Sequence, residues 1–171
     1  LSGYVSQNKV EQIDGLILDK TFVRTSVDGI MEDYETVLDA WIAKNYPKNE
    51  AMMQPAAVIQ KLAIAILKGE ELDPRIVCTL SSDILYGARY QLPSGLYETV
   101  YYNSDEMAAW VWGNVAYQKL GFSHDQAIAF GMQHFGKPSY SVIYGEILYD
   151  VPWKVKAMKE GWMYSKKHMI I

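Results

Sequence analysis

The chain has 171 residues, half of them hydrophobic, and one cysteine, Cys78. That is the size of one domain with an adequate core, so stability needs no disulfide or metal, and a single thiol excludes an intrachain disulfide. A formal charge of −4 and a pI near 5.4 argue against a dedicated nucleic-acid binder.

The charge is unevenly placed. Residues 1–150 carry 11 Lys+Arg against 19 Asp+Glu, whereas residues 151–171 carry five lysines against Glu160, so a body of net −8 adjoins a tail of net +4. Such a tail meets phosphate or an acidic partner, or is simply a solvated helix face. The longest apolar runs, 62–67 and 107–112, are six residues each, against about 20 for a membrane span. No span is expected. No signal peptide is expected either, because the N-terminus lacks a basic region followed by an apolar one. The chain opens on Leu1 and reads as a processed or excised piece. Synthesis in the cytoplasm is expected, with any export by a route other than a general secretory signal or as part of a larger chain.

In chain order, residues 1–29 read as an irregular segment with turn signals at Asp14-Gly15 and Asp28-Gly29 and short extended pieces at 16–18 and 21–25. Residues 30–88 read as a helical half. Ile30, Tyr34, Val37, Leu38, Trp41 and Ile42 recur at helical spacing, and Pro47 ends that helix. A second helix opens at Pro55, runs through Ile59, Leu62 and Ile66 to a cap at Gly69, and has the broad apolar face of a central core helix. A third starts at Asp73-Pro74 and is predicted to continue through Leu80 to Leu85. Residues 89–102, built around Pro93-Ser94-Gly95, read as a small hairpin or extended loop.

Residues 103–164 read as a second helical half. Asn103 with Glu106 and Ser123 with Gln126 form capping-box pairs that open two helices, closed by Gly121 and by Gly136 with Pro138. Residues 139–149 fit strand or helix equally well, and Asp150 with Pro152 starts a final helix carrying Val155, Met158 and Trp162 on one face. The expected fold is mainly α: a single-domain bundle of about six helices spanning 1–171, with a small β element near 89–102.

Chemistry-bearing residues are sparse. Cys78 has no nearby histidine and reads as a buried structural thiol. His124 and His134 lie ten residues apart, not the four that would place both on one metal, and there is no HExxH pattern; no metal or cofactor is expected. His134, at a helix C-terminus before a Gly-Lys-Pro turn, is the best general-base candidate. Glu146 and Asp150 are four apart in a tyrosine-rich stretch, a spacing that puts both on one side of a helix or strand. Such a pair suits general acid and base work, including glycoside hydrolysis, although Asp150 is equally explained as a helix N-cap. Trp110, Trp112, Tyr117, Trp153 and Trp162 crowd the last third, as for a sugar-stacking cleft, an interface or a core.

Gly113-Asn114-x-Ala116-Tyr117, Gly121-Phe122-Ser123, Asp150-x-Pro152, and Gly161 with Tyr164 together resemble the type-44 polymorphic-toxin domain of bacteria, over about 60 residues. The chain departs from that pattern at Leu96-Tyr97-Glu98, where a Trp-Asp pair is the rule, and at Gln118, where a glycine is expected. The resemblance implies a secreted antagonistic effector with a cognate inhibitor or immunity protein as partner. The expected activity is hydrolysis of a polymer, cell-wall glycan before nucleic acid, with Glu146, Asp150, His134 and Asn114 as site residues. The competing expectation is a non-catalytic inhibitor or adaptor that presents an aromatic patch and the basic tail to a partner protein.

Overall fold

A computed structural model describes residues 11–13, 16–18, 23–46, 56–134, 138–141, 146–149 and 152–169. Near the N-terminus, β1 (Glu11–Ile13) and β2 (Leu16–Leu18) form an antiparallel pair. Strand β3 (Val23–Ser26) runs straight into α1 (Val27–Asn45), because the Ser26 side chain accepts a hydrogen bond from the Asp28 N–H and caps the helix. Asp28-Gly29 is therefore the first turn of a helix, three residues before the start its apolar periodicity marked. The helix buries Val27, Met31, Tyr34, Leu38 and Trp41, while Val37 is 41% exposed and lies off the stripe.

Helix α2 (Ala56–Leu67) follows, and Gly69 adopts φ +72° at its exit, as the cap signal requires. Pro55 lies outside the described residues. The third helix, α3 (Pro74–Val77), is a single turn, capped by buried Asp73. Its predicted extension to Leu85 is wrong for a local reason. Cys78 caps the turn, Thr79 takes φ +50°, and Ser81 holds the next bend by accepting from the Asp83 N–H. Ile84 and Leu85 instead open strand β4 (Ile84–Gln91), where an aromatic and branched run finds strand partners on both sides. Cys78 is half-buried, not fully enclosed, and burial raises its thiol pKa.

Strand β4 returns through the Pro93-Ser94-Gly95 turn to β5 (Tyr97–Tyr102), so the hairpin reading holds. The sheet order is β3-β4-β5, with β3 parallel to β4 and β5 antiparallel. Helix α4 (Ser104–Gln118) and helix α5 (His124–Met132) both open with complete capping boxes, from Asn103/Glu106 and Ser123/Gln126. The described residues of 139–149, a stretch ambiguous in sequence, fall within an antiparallel pair, β6 (Pro138–Ser141) and β7 (Glu146–Tyr149). Helix α6 (Pro152–Met169) completes the order. The described fold is mainly helical, with six helices and one small three-stranded sheet beside two short β pairs.

Helix α4, not α2, is the central element. Residues 106–116 are buried without interruption, and Trp110 and Trp112 are 0% exposed. A helix apolar on nearly every side is one that has neighbours on nearly every side. Its closest neighbour is α6, and glycines set that distance. A Cβ on Gly113 would lie 1.9 Å from the Met158 carbonyl oxygen, and one on Gly161 would lie 1.9 Å from that of Trp110. Neither backbone atom can yield without moving a helix.

The same seam is tied by a polar network in the core. Trp110 Nε1 donates to the Tyr90 hydroxyl at 3.0 Å, Tyr90 pairs with the Tyr102 hydroxyl at 2.7 Å, and Tyr102 donates to Glu160 Oε1 at 2.8 Å. Burial pushes the Tyr90 and Tyr102 hydroxyls far above the ordinary tyrosine range. Both stay protonated and stitch the sheet to α4 and α6. No described helix is long and apolar enough to cross a membrane.

Candidate functional site

Each residue of a helix turns the side-chain direction by about 100°, so Trp112 and Asn114 point some 200° apart on α4. Trp112 faces α5, where its Nε1 donates to the Ala127 carbonyl at 2.9 Å. Asn114 faces the other way, into a cleft of about 400 Å³ walled by α1, α4 and α6. That volume lies within the usual range for small-ligand sites, about 300–1,000 Å³.

Helix α1 contributes Asp28, Glu32 and Glu35, a strip at spacings of four and three beside its buried apolar stripe. Helix α4 contributes Asn114 and Gln118, one turn apart, and α6 contributes Tyr164 and Ser165. The cleft lining holds three carboxylates and no Lys, Arg or His. At its outer end α1 and α4 are tied by Lys119 to Asp39 at 2.8 Å.

Several of these side chains are already committed. The Tyr164 hydroxyl donates to Asp28 Oδ1, while its ring packs on Tyr90 and Trp110 at 5.6 and 5.3 Å. Burial, reinforced by the Asp28 hydrogen bond, drives the Tyr164 pKa far up, so the phenol keeps its proton. Gln118 Nε2 donates to Glu35 Oε1 at 3.1 Å, which orients that carboxylate, whereas Gln118 Oε1 is buried without a partner. Asn114 is 6% exposed, and its amide makes no hydrogen bond to another described residue. Glu32 is exposed at the rim and forms no ion pair among the described residues.

Of the sequence-predicted site residues, the described side chains of Asn114 and His134 lie apart. Asn114 lies in the cleft. His134 follows the end of α5, on the opposite side of α4, with its N–H on the Gly131 carbonyl and its Nε2 buried and unpartnered. Burial first, and the positive charge of Lys68 second, lower its pKa. Glu146 is the first residue of β7, paired in register with Ser141, and its side chain lies outside the described residues. Asp150 also lies outside them.

The aromatic crowd divides. Trp110 and Trp112 are core, whereas Tyr117, Trp153 and Trp162 are half-buried. Trp162 packs edge-on against Tyr117 and His124, at 5.2 and 5.3 Å, and donates its indole N–H to the Phe122 carbonyl. Among the described residues no group of three or more His, Cys, Asp or Glu side chains is placed to hold a metal ion.

Reading the residues in sequence missed Asp28, Glu32, Glu35, Gln118 and Ser165. Their signal was present: an acidic strip at 28/32/35 on one helix and an amide pair at 114/118 on another. Acidic strips are usual on solvated helix faces, so only the juxtaposition of the two gives either one meaning. Comparison with family models, with curated proteins and with solved structures finds no match to this chain.

Proposed function

We propose that this chain is the hydrolytic domain of a bacterial antagonistic effector, and that it cleaves a cell-wall glycan in the cleft between α1, α4 and α6. The observation that carries the reading is Asn114, a buried amide without a described protein partner, aimed into an acidic cleft of substrate size. Two residues of the type-44 toxin resemblance, Asn114 and Tyr164, reach this one cleft from different helices. Two others, Gly113 and Gly161, set the helix crossing beside it.

Glycoside hydrolysis needs one carboxyl group to protonate the leaving oxygen and a second to activate water or attack the sugar. Glu32 at the rim and Glu35, oriented by Gln118, take those parts. Asn114 holds substrate hydroxyls, and Tyr164 fixes Asp28 beside them. A cleft walled by carboxylates repels a phosphate backbone, which favours glycan over nucleic acid. Glu146 and Asp150 form the competing carboxylate pair. Expression in a bacterium with an added export signal tests the reading: lysis should depend on Glu32 and Glu35, each changed to Gln, and survive Glu146→Ala. Lysis lost only with Glu146→Ala moves the chemistry to that pair.

A second reading, an inhibitor or adaptor, is favoured by the β4–β5 tip. Leu96 and Tyr97 are 69% and 55% exposed there, the Arg89 guanidinium sits 4.2 Å from the Tyr97 ring centre, and Lys167 from the basic tail donates to the Gln91 carbonyl. Normal growth with the chain in either compartment would make that reading the stronger one.

A further inference from the structure

The lining of the cleft also bears on which glycan it takes, an argument that rests on the hydrolase reading above. Three carboxylates face the cavity and no cationic side chain lines it, so its lining carries an excess of negative charge. The Tyr164 proton goes to Asp28, and a Gln118 N–H goes to Glu35. What the cavity keeps is that excess of negative charge beside an uncommitted amide. Asn114 is 6% exposed and its amide makes no hydrogen bond to another described residue, and Glu32 makes no ion pair among them.

A ligand that matches this surface brings hydrogen-bond donors and positive charge. A cavity of about 400 Å³ is far larger than a bare ion needs, and no described trio of acidic, His or Cys side chains could ligate one. The cation is therefore organic. An N-acetylated sugar offers a single amide N–H and turns a carbonyl oxygen toward carboxylates. A free amino sugar offers an ammonium with three donors, plus hydroxyls for Asn114 and Ser165.

We propose that the cleft selects glycans whose amino sugars are unacetylated, with the ammonium seated among the carboxylates that line it. A lysine side chain carries the same charge but lacks the ring hydroxyls that the buried amide and the Ser165 hydroxyl would meet.

The test is calorimetric titration of the full chain with three probes: a glucosamine tetramer, an N-acetylglucosamine tetramer and tetralysine. Charge-assisted hydrogen bonds predict that the glucosamine tetramer binds about tenfold more tightly than either other probe, with affinity falling as salt rises. Glu32→Gln should erase the preference while circular dichroism and melting temperature stay as in the parent, and Asn114→Leu should weaken both sugars together. Equal binding of the two sugars overturns the inference and leaves the glycan hydrolase standing. Tetralysine binding as tightly as the glucosamine tetramer overturns it in favour of a protein cation. Binding of none of the three removes the cleft from both readings.

Discussion

The two sides of helix α4 solve the same packing problem in opposite ways. Toward α6, Gly113 and Gly161 let the backbones touch, and Trp110, Tyr90 and Tyr102 satisfy one another's polar atoms inside the core. Toward α1, the Gln118 oxygen is unpaired, the Asn114 amide bonds no described residue, and carboxylates stand across a gap. The first side stores stability. The second leaves hydrogen-bonding capacity unsatisfied, where buried polar groups are normally paired.

That contrast breaks most sharply at the glycines. Gly161→Ala drives a methyl group into the Trp110 carbonyl, so the urea midpoint should fall by the equivalent of about 3 kcal/mol or more. A near-wild-type midpoint would mean the helices are not in contact there. Trp110→Phe removes the indole donor to Tyr90 and opens a void under the seam; its expected loss, by the same urea titration, is about 2 kcal/mol.

A pH effect separates the sides further. Burial lowers the His134 pKa below its ordinary value of 6.5. The unfolded chain therefore binds that proton first as pH falls. The stability held above pH 6.5 is lost progressively as pH drops from there through the lowered folded value. His134→Gln should flatten that part of a melting-temperature profile, and an unchanged slope would show that the imidazole is solvated.

Effects on the cleft side should be small on stability and large on binding. Lys119→Ala removes a partly exposed ion pair with Asp39 and should shift the midpoint by less than about 1 kcal/mol. Asn114→Leu takes away an amide that bonds no described residue, so its midpoint should move by no more than about 0.5 kcal/mol. A large loss from Asn114→Leu would reveal a structural partner and end its role as a ligand-binding residue.

Local signals carried much of the fold. The capping boxes at Asn103/Glu106 and Ser123/Gln126, the left-handed exit at Gly69 and the turn at Pro93-Ser94-Gly95 all lie where residue chemistry alone places them. Each depends on a few neighbouring residues and on hydrogen bonds that close within one turn. The third helix failed for the complementary reason. Ile84 and Leu85 have apolar side chains that suit helix or strand, and the pairing of β4 with β3 and β5 decided between them.

The site was legible only in fragments. Asn114 stood out as a motif residue, and Gly113, Gly161 and Tyr164 stood beside it, but their spacing could not separate a close helix crossing from a catalytic pattern. Asp28, Glu32 and Glu35 looked like an ordinary solvated strip. Sequence by itself determined the capped starts of α4 and α5, the Gly69 exit and the turn at 93–95, and that no apolar run is long enough for a membrane helix. Only the tertiary structure decided that α4 is central, that Trp110 and Trp112 are core, and that a strip from α1 meets an amide pair from α4 across 80 residues of chain. Those outcomes depend on which faces are brought together, and a face acquires its chemistry from the neighbour that folding places opposite it.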